Sequence, residues 1–173
     1  NNDFGEIWGP DSLMYESFDT TAIIATSEYS VYSSGSVFVS KPMVHNFPCA
    51  MAVAEFPFDV QTCSFTVGSW SYHGFMVDIL PRLGSDGTPS AISLATYNKH
   101  TEFALRKVVT DHYSFYYGCC PEPYPLITFT LELKRAPLPY FNGLLLPLIL
   151  STIAGFFAFL INPNAGERIG LGI

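Results

Sequence analysis

"LITFTLELK" occupies Leu126 to Lys134. Ile127, Phe129, Leu131 and Leu133 share one parity, while Thr128, Thr130, Glu132 and Lys134 share the other. A helix would split those apolar residues between two sides; a two-residue period gathers them on one face. The stretch reads as a half-buried strand of an antiparallel sheet. "CSFTVGSW" (Cys63 to Trp70) alternates in the same way. "SVYSSGSVFVS" (Ser30 to Ser40) sets β-branched and aromatic residues on both sides of a Ser-Gly turn, the pattern of a hairpin. Turn chemistry recurs at "GSDGTPS" and "EPYP". No helix-period segment competes before residue 140. Residues 1–135 are therefore expected to form an antiparallel β-sandwich, and the fold class is mostly β.

Past this strand the composition changes. Tyr140 to Ile161, "YFNGLLLPLILSTIAGFFAFLI", holds 22 residues without a charge. As a helix it is about 33 Å long, enough for a bilayer core of about 30 Å. A core helix of a soluble protein normally keeps a polar stripe, and this run has none. Pro147 lies inside it, which a membrane helix tolerates. Lys134 and Arg135 precede the run, and Tyr140 and Phe141 sit at its edge as aromatic anchors. Residues 136–161 are expected to be a linker and a first membrane helix surrounded by lipid. Residues 162–173 are expected to be a short turn and the start of a second helix, returning from the face where the first one exits. The first residue is Asn1 and the last, Ile173, falls within an apolar pattern, so the sequence reads as a piece of a longer protein.

The bulk numbers agree. Of 173 residues, 49% are hydrophobic and only 13% charged, about half the usual share of roughly 25%. The net charge of −7 argues against a nucleic-acid partner and favours cations. His45, His73, His100 and His112 show no metal-ligand spacing, and no nucleophile elbow, phosphate loop or paired carboxylates can be read. The expectation is no enzyme, no cofactor and no metal.

Four cysteines remain. Cys49 and Cys63 enclose thirteen residues that contain "FPFD" (Phe56 to Asp59). Cys119 and Cys120 are adjacent, inside "YYGCCPEPYP" (Tyr116 to Pro125). With "WGPDSLMY", "FPFDVQTC", "GSWSYHG" and "AGERIGLGI" in order along the chain, the sequence resembles the Cys-loop family of pentameric ligand-gated ion channels. Its alpha-type nicotinic acetylcholine receptor branch is the nearest in pattern.

The resemblance implies two disulfides, Cys49–Cys63 and Cys119–Cys120. The first would close a loop worth about 3 kcal/mol in chain entropy. Neighbouring Cα atoms are only 3.8 Å apart, so the second would make a strained ring stiffening a hairpin tip. Two free thiols or a soft-metal site are the alternatives. The resemblance also implies a cage of Tyr15, Trp70, Tyr117 and Tyr124, with Cys119 and Cys120 beside it. Aromatic faces attract cations, quaternary ammonium above all. Aromatics in β-sheets are more often core, and it is the agreement of four positions that points to a small cationic ligand. Tyr29, Tyr32, Tyr72, Tyr97, Tyr113 and Tyr116 match no such position and are read as structural. The family's site lies between identical or homologous subunits, so Phe38 and Ser40 are expected on the complementary face. Glu167 is expected at the pore mouth, with cation selectivity. The localisation implied is the plasma membrane, with the β-sandwich extracellular and the turn of 162–173 intracellular.

The sequence departs from the family's pattern at His73, Phe103, Pro139 and Gly170. Most tellingly, Thr66 stands where a Lys is usual and Leu126 where an Asp is usual. In the family those charges pair and link to the tyrosine matching Tyr117, so cholinergic ligands are expected to bind weakly here or to gate inefficiently. The rival readings are a soluble ligand-binding homologue, a receptor for a non-cholinergic ligand, and a redox or metal protein built on Cys119 and Cys120.

Overall fold

The computed structural model describes residues 8–18, 22–23, 25–84, 92–94 and 97–160. The asparagine-to-glycine turn at 162–166, Glu167 and Gly170 lie outside the described residues. Among the described residues, eight strands precede one helical stretch: β1 (Ser12–Met14), β2 (Ala22–Ile23), β3 (Glu28–Val31), β4 (Val37–Ser40), β5 (Met43–Val44), β6 (Val60–Ser69), β7 (Phe103–Tyr116) and β8 (Pro123–Arg135). The largest sheet has the order β1-β6-β8-β7; β2 pairs with β5 and β3 with β4. The β1–β6, β2–β5 and β3–β4 pairings are antiparallel, with Ser12 opposite Ser69, Ala22 opposite Val44 and Glu28 opposite Ser40. The chain is mostly β with an apolar helix at its C-terminal end, as the alternation and the charge-free run predict.

Two compact units divide the chain, one containing 62–98 and 105–132 together with the N-terminal segment to Met51, the other 52–61, 99–104 and residues from 133 onward. Of the alternating face, Ile127 and Phe129 are buried in the first unit, while Leu131 and Leu133 are only half-buried. Phe129 stacks on Phe65 at 5.1 Å, and Phe65 meets Phe47 at 5.1 Å. The β3–β4 hairpin turns at Gly35, whose φ of 84° suits only a residue without Cβ. Gly35 donates to the Tyr32 carbonyl and Tyr32 to the Ser36 carbonyl. Cys49 and Cys63 are bonded, with Cα atoms 5.2 Å apart.

In the second unit the "FPFD" segment carries a cis Phe56–Pro57 peptide. Gln61, 1% exposed, holds this segment from inside. Its Oε1 accepts from the Ala52 N–H at 2.8 Å, and its Nε2 donates to the Ala52 carbonyl at 2.7 Å and to Asp59. One side-chain amide thus copies a backbone ladder, which explains a buried polar residue there. Helix α1 (Leu138–Tyr140) runs through a wider π-type turn, Phe141–Leu145, into α2 (Leu146–Ala158). The Leu146 N–H reaches back five residues to the Phe141 carbonyl. Pro147 follows, with no N–H to give, and a widened turn is one way to absorb that loss. Leu138–Phe157 is 20 residues long, has a mean hydropathy of 1.6 and is unburied, long and apolar enough to cross a bilayer.

Candidate functional site

Each of the four strands of the main sheet delivers one aromatic residue at the same end. Tyr15 follows β1, Trp70 follows β6, Tyr117 follows β7, and Tyr124 is the second residue of β8. Together with Cys119 they line a cavity of about 210 Å³. The rings stand at angles: Tyr15 and Trp70 have centroids 6.1 Å apart, inclined at 48°, and Tyr117 meets Tyr124 edge-on at 5.2 Å. Trp70 keeps 70% of its surface exposed, so its face is open to a ligand. Cys119 and Cys120 are bonded to each other, and the Cys120 N–H donates to the Tyr117 carbonyl at 3.1 Å, closing the tip of the β7–β8 hairpin. Cys120 is held beside the cavity without lining it. Among the described residues, no charged side chain lines the cavity.

The walls are fixed by polar contacts. Tyr15 donates from its hydroxyl to the Ser69 carbonyl at 3.0 Å, and its N–H donates to the Thr66 carbonyl. Burial, helped by a hydrogen bond with Tyr117, pushes the Tyr15 phenol up to about 12. The loop bearing Trp70 is pinned by Asp11, which accepts from the Ser69 hydroxyl and from the Ser71 N–H at 2.8 Å. Burial works to raise the Asp11 carboxyl, but those hydrogen bonds outweigh it and hold it below its usual value. The Tyr72 N–H donates to Ser69 Oγ at 3.0 Å, and Trp8 meets the Tyr72 ring edge-on at 5.6 Å. The Gly74 N–H donates to the Pro123 carbonyl at 2.6 Å, tying this loop to the base of the Cys-Cys hairpin. A Cβ at Gly74 would stand 3.0 Å from that oxygen, so a larger residue there would crowd the Pro123 carbonyl.

Phe38 and Ser40 lie on β4, opposite Ser30 and Glu28, and do not line this cavity. Val39 and Lys41, of the other parity, line a second cavity of about 210 Å³ with Gly9, Pro10, Ser12, Tyr29 and Met43. Leu126 is buried at 4% exposure. Its side chain fills the place where a Cβ on Gly68 would project, and Tyr15 stands 2.9 Å from that same point. Thr66 Oγ1 lies 3.0 Å from Thr128 Oγ1. Of the histidines, His112 approaches Asp78 at 3.9 Å, His100 Nδ1 accepts from the Glu102 N–H at 3.1 Å, and His73 Nδ1 is buried without a hydrogen-bond partner. No cluster of three or more metal-ligating side chains occurs among the described residues.

Sequence reasoning missed one constellation, in the second unit. Arg135, in sequence only a charge flanking an apolar run, is 6% exposed. Its Nε donates to Asp59 Oδ1 at 2.8 Å, and its Nη1 to Glu102 Oε1 at 2.6 Å and to the Tyr140 hydroxyl at 3.0 Å. Tyr140 also donates to Glu102. Phe103, Phe56 and Tyr140 place their rings 4.5, 5.3 and 5.4 Å from the guanidinium carbon. The hydrogen bond from Arg135, helped by Gln61, holds Asp59 below the usual carboxylate range. The available signal was the Asp of "FPFD", an acid in an apolar loop that needs a cationic partner when buried.

Residues 1–137 match the family model described as the neurotransmitter-gated ion-channel ligand binding domain. Among curated proteins, acetylcholine receptor subunit alpha-type acr-16 of Caenorhabditis briggsae is 38% identical over 98% of this chain and 33% of its own length. Neuronal acetylcholine receptor subunit alpha-10 of Rattus norvegicus is 34% identical over 96% of this chain and 36% of its own. Neuronal acetylcholine receptor subunit alpha-9 of Gallus gallus is 35% identical over 96% and 34%. The chain thus spans about a third of the length of these relatives. It belongs to the family of neurotransmitter-gated ion-channel ligand binding domains, a family of channels and not of enzymes.

Proposed function

We propose that this chain is part of a subunit of a pentameric, cation-selective, neurotransmitter-gated channel, and that the aromatic cavity is the principal half of a binding site for a small cation such as acetylcholine. One observation carries the reading: Tyr15, Trp70, Tyr117, Cys119 and Tyr124 line one cavity, with no charged side chain among its described lining residues. Such a cavity attracts a diffuse cation through ring faces and does not compete for a compact, strongly hydrated one. The bonded Cys119–Cys120 tip is the cap, and Phe38 and Ser40 of the neighbouring subunit form the opposite wall. Leu138–Phe157 crosses the plasma membrane, and Glu167 at the pore mouth concentrates cations. The names of the relatives support an acetylcholine-like ligand.

Full-length pentamers titrated with acetylcholine test this reading, with binding and current measured on the same material. Saturable binding lost in Trp70→Ala supports it; binding indifferent to Trp70 refutes it. A non-cholinergic ligand is the second reading, favoured by the apolar Leu126 beside Tyr15. It predicts that another amine displaces acetylcholine at lower concentration.

A further inference from the structure

A row of polar contacts crosses the main sheet below the aromatic cavity. On β6, Thr66 Oγ1 lies 3.0 Å from Thr128 Oγ1 on the adjacent β8. Thr128 Oγ1 donates to the hydroxyl of Tyr113 on β7 at 3.4 Å. Since Thr128 spends its one proton on Tyr113, Thr66 must donate to Thr128. The backbone of Thr66 continues the row to the end of β1. Its carbonyl accepts from the Tyr15 N–H at 3.0 Å, and its N–H donates to Glu16 Oε2 at 2.6 Å.

The spacing connects this row to the cavity. Thr66 lies four residues before Trp70, Tyr113 four before Tyr117, and Thr128 four after Tyr124. Four is an even number of strand residues, about 13 Å along the chain. All three strands that carry these cavity aromatics are therefore bridged at one level. Leu126 lies between Tyr124 and Thr128 on β8, and none of the three hydroxyl residues lines the cavity. Tyr113 matched no expected site position, and a half-exposed tyrosine could as well turn to water. Its hydroxyl instead meets a threonine already engaged on the far side.

We propose that Thr128 is a positioning residue for the aromatic cavity: through a neutral hydroxyl chain, Thr66–Thr128–Tyr113, it holds β6, β8 and β7 at the spacing that brings Trp70, Tyr124 and Tyr117 around one ligand. This rests on the reading of the cavity as the ligand site. Thr128 is the middle member, so removing its hydroxyl breaks both links at once. Thr66 and Tyr113 each break one. The chain carries no charge, so its effect on the site does not weaken with salt.

The test is equilibrium binding of acetylcholine to full-length pentamers. Thr128→Val keeps the shape of the side chain and should lower affinity about threefold to tenfold, the scale of one or two neutral hydrogen bonds. Thr128→Ser restores the hydroxyl and should return affinity to within about twofold of the parent. Thr66→Val placed on Thr128→Val should add no more than about twofold, because its partner is already gone. Tyr113→Phe, at a half-exposed position, should cost about twofold to threefold and serves if Thr128→Val fails to assemble. A Thr128→Val or Tyr113→Phe receptor with parental affinity overturns the proposal, as do losses at Thr66 and Thr128 that multiply independently, or a serine that does not rescue. Trp70→Ala separates the hydroxyl chain from the cavity. If it abolishes binding while the hydroxyl variants change nothing, the hydroxyl chain fails and the cavity reading stands. If it changes nothing, or if the parent binds neither acetylcholine nor any other amine, both fall.

Discussion

Arg135 donates to Asp59 across 76 residues of sequence, at 2.8 Å and almost out of reach of water. Phe56 lies three residues before Asp59, and its ring also faces the guanidinium. A buried ion pair is weak evidence for stability, but a half-removed one is destabilising because a charge is left alone. Arg135→Gln strands Asp59 and removes the donor to Glu102, so it should lower surface assembly more than Asp59→Asn, where Glu102 still balances the guanidinium. Asp59 binds its proton less tightly folded than unfolded, so its contribution is present above about pH 4, the unfolded value, and is lost as pH falls through the lower folded value. Thermal unfolding of purified pentamers from pH 7 to 3 checks this. The parent should lose stability on acidification, and Asp59→Asn should start lower and fall less.

Trp70 presents the largest open ring in the cavity. Trp70→Ala should weaken binding of a quaternary ammonium ligand at least about tenfold, while Trp70→Phe, which keeps a smaller face, should cost less. Direct binding on assembled pentamers decides. Unchanged affinity in Trp70→Ala would remove the cavity from consideration.

Tyr15 holds its proton because burial and its neighbours disfavour the phenolate, with a value of about 12. An ordinary tyrosine is half ionised near pH 10. Folded Tyr15 binds its proton more tightly than unfolded, so its contribution is full below about pH 10 and is lost as pH rises toward 12. Ultraviolet titration of the parent against Tyr15→Phe should show one phenol missing from the ordinary transition. A difference spectrum that titrates near pH 10 would contradict the burial of this phenol.

Leu126 packs beside Gly68 and Tyr15, and Thr66 stands on the neighbouring strand. Leu126→Asp alone puts an unpaired carboxylate into that contact and should cost about 1–3 kcal/mol of stability. Thr66→Lys alone breaks the hydroxyl row and adds an unpaired cation. The two together can pair, and the ratio of gating to binding should rise above the parent only in the double variant. A double-mutant cycle with binding and current recorded for every variant measures it. Additive effects would show that the charge pair has no part here.

Glu167 supplies the last expectation. Carboxylate rings at a pore mouth enrich cations. Ion-substitution recordings on the full receptor should give reversal potentials that follow sodium. Potentials that follow chloride would overturn cation selectivity.

The strands that alternate cleanly are legible in the sequence: β6 and β8 pair apolar with polar positions, and the charge-free run can only be a helix in an apolar medium or core. β7 is not. It is an edge strand of the main sheet, mostly exposed, and carries Arg106, Lys107, Asp111 and His112, so no apolar period marks it. Leu126 falls on the polar parity of β8, yet it is buried because Gly68 on the next strand has no side chain to keep it out. The cavity residues emerge through motif resemblance; nothing in their local periodicity separates a ring that binds from a ring that packs. Arg135 misleads because a basic residue before an apolar run usually reaches for water, and its partners come from Asp59 and Glu102, far off in the sequence.

Four strands each contribute one ring to the same pocket, and none of them alone makes a site. A ligand seated there engages only chains whose whole sheet is in register, and it ignores every misassembled form. By mass action it would then draw newly made subunits toward the native state, by about 2.7 kcal/mol at a hundred times its dissociation constant. Cells cultured with such a compound should mature more receptor from the same amount of message, including variants whose channel cannot open.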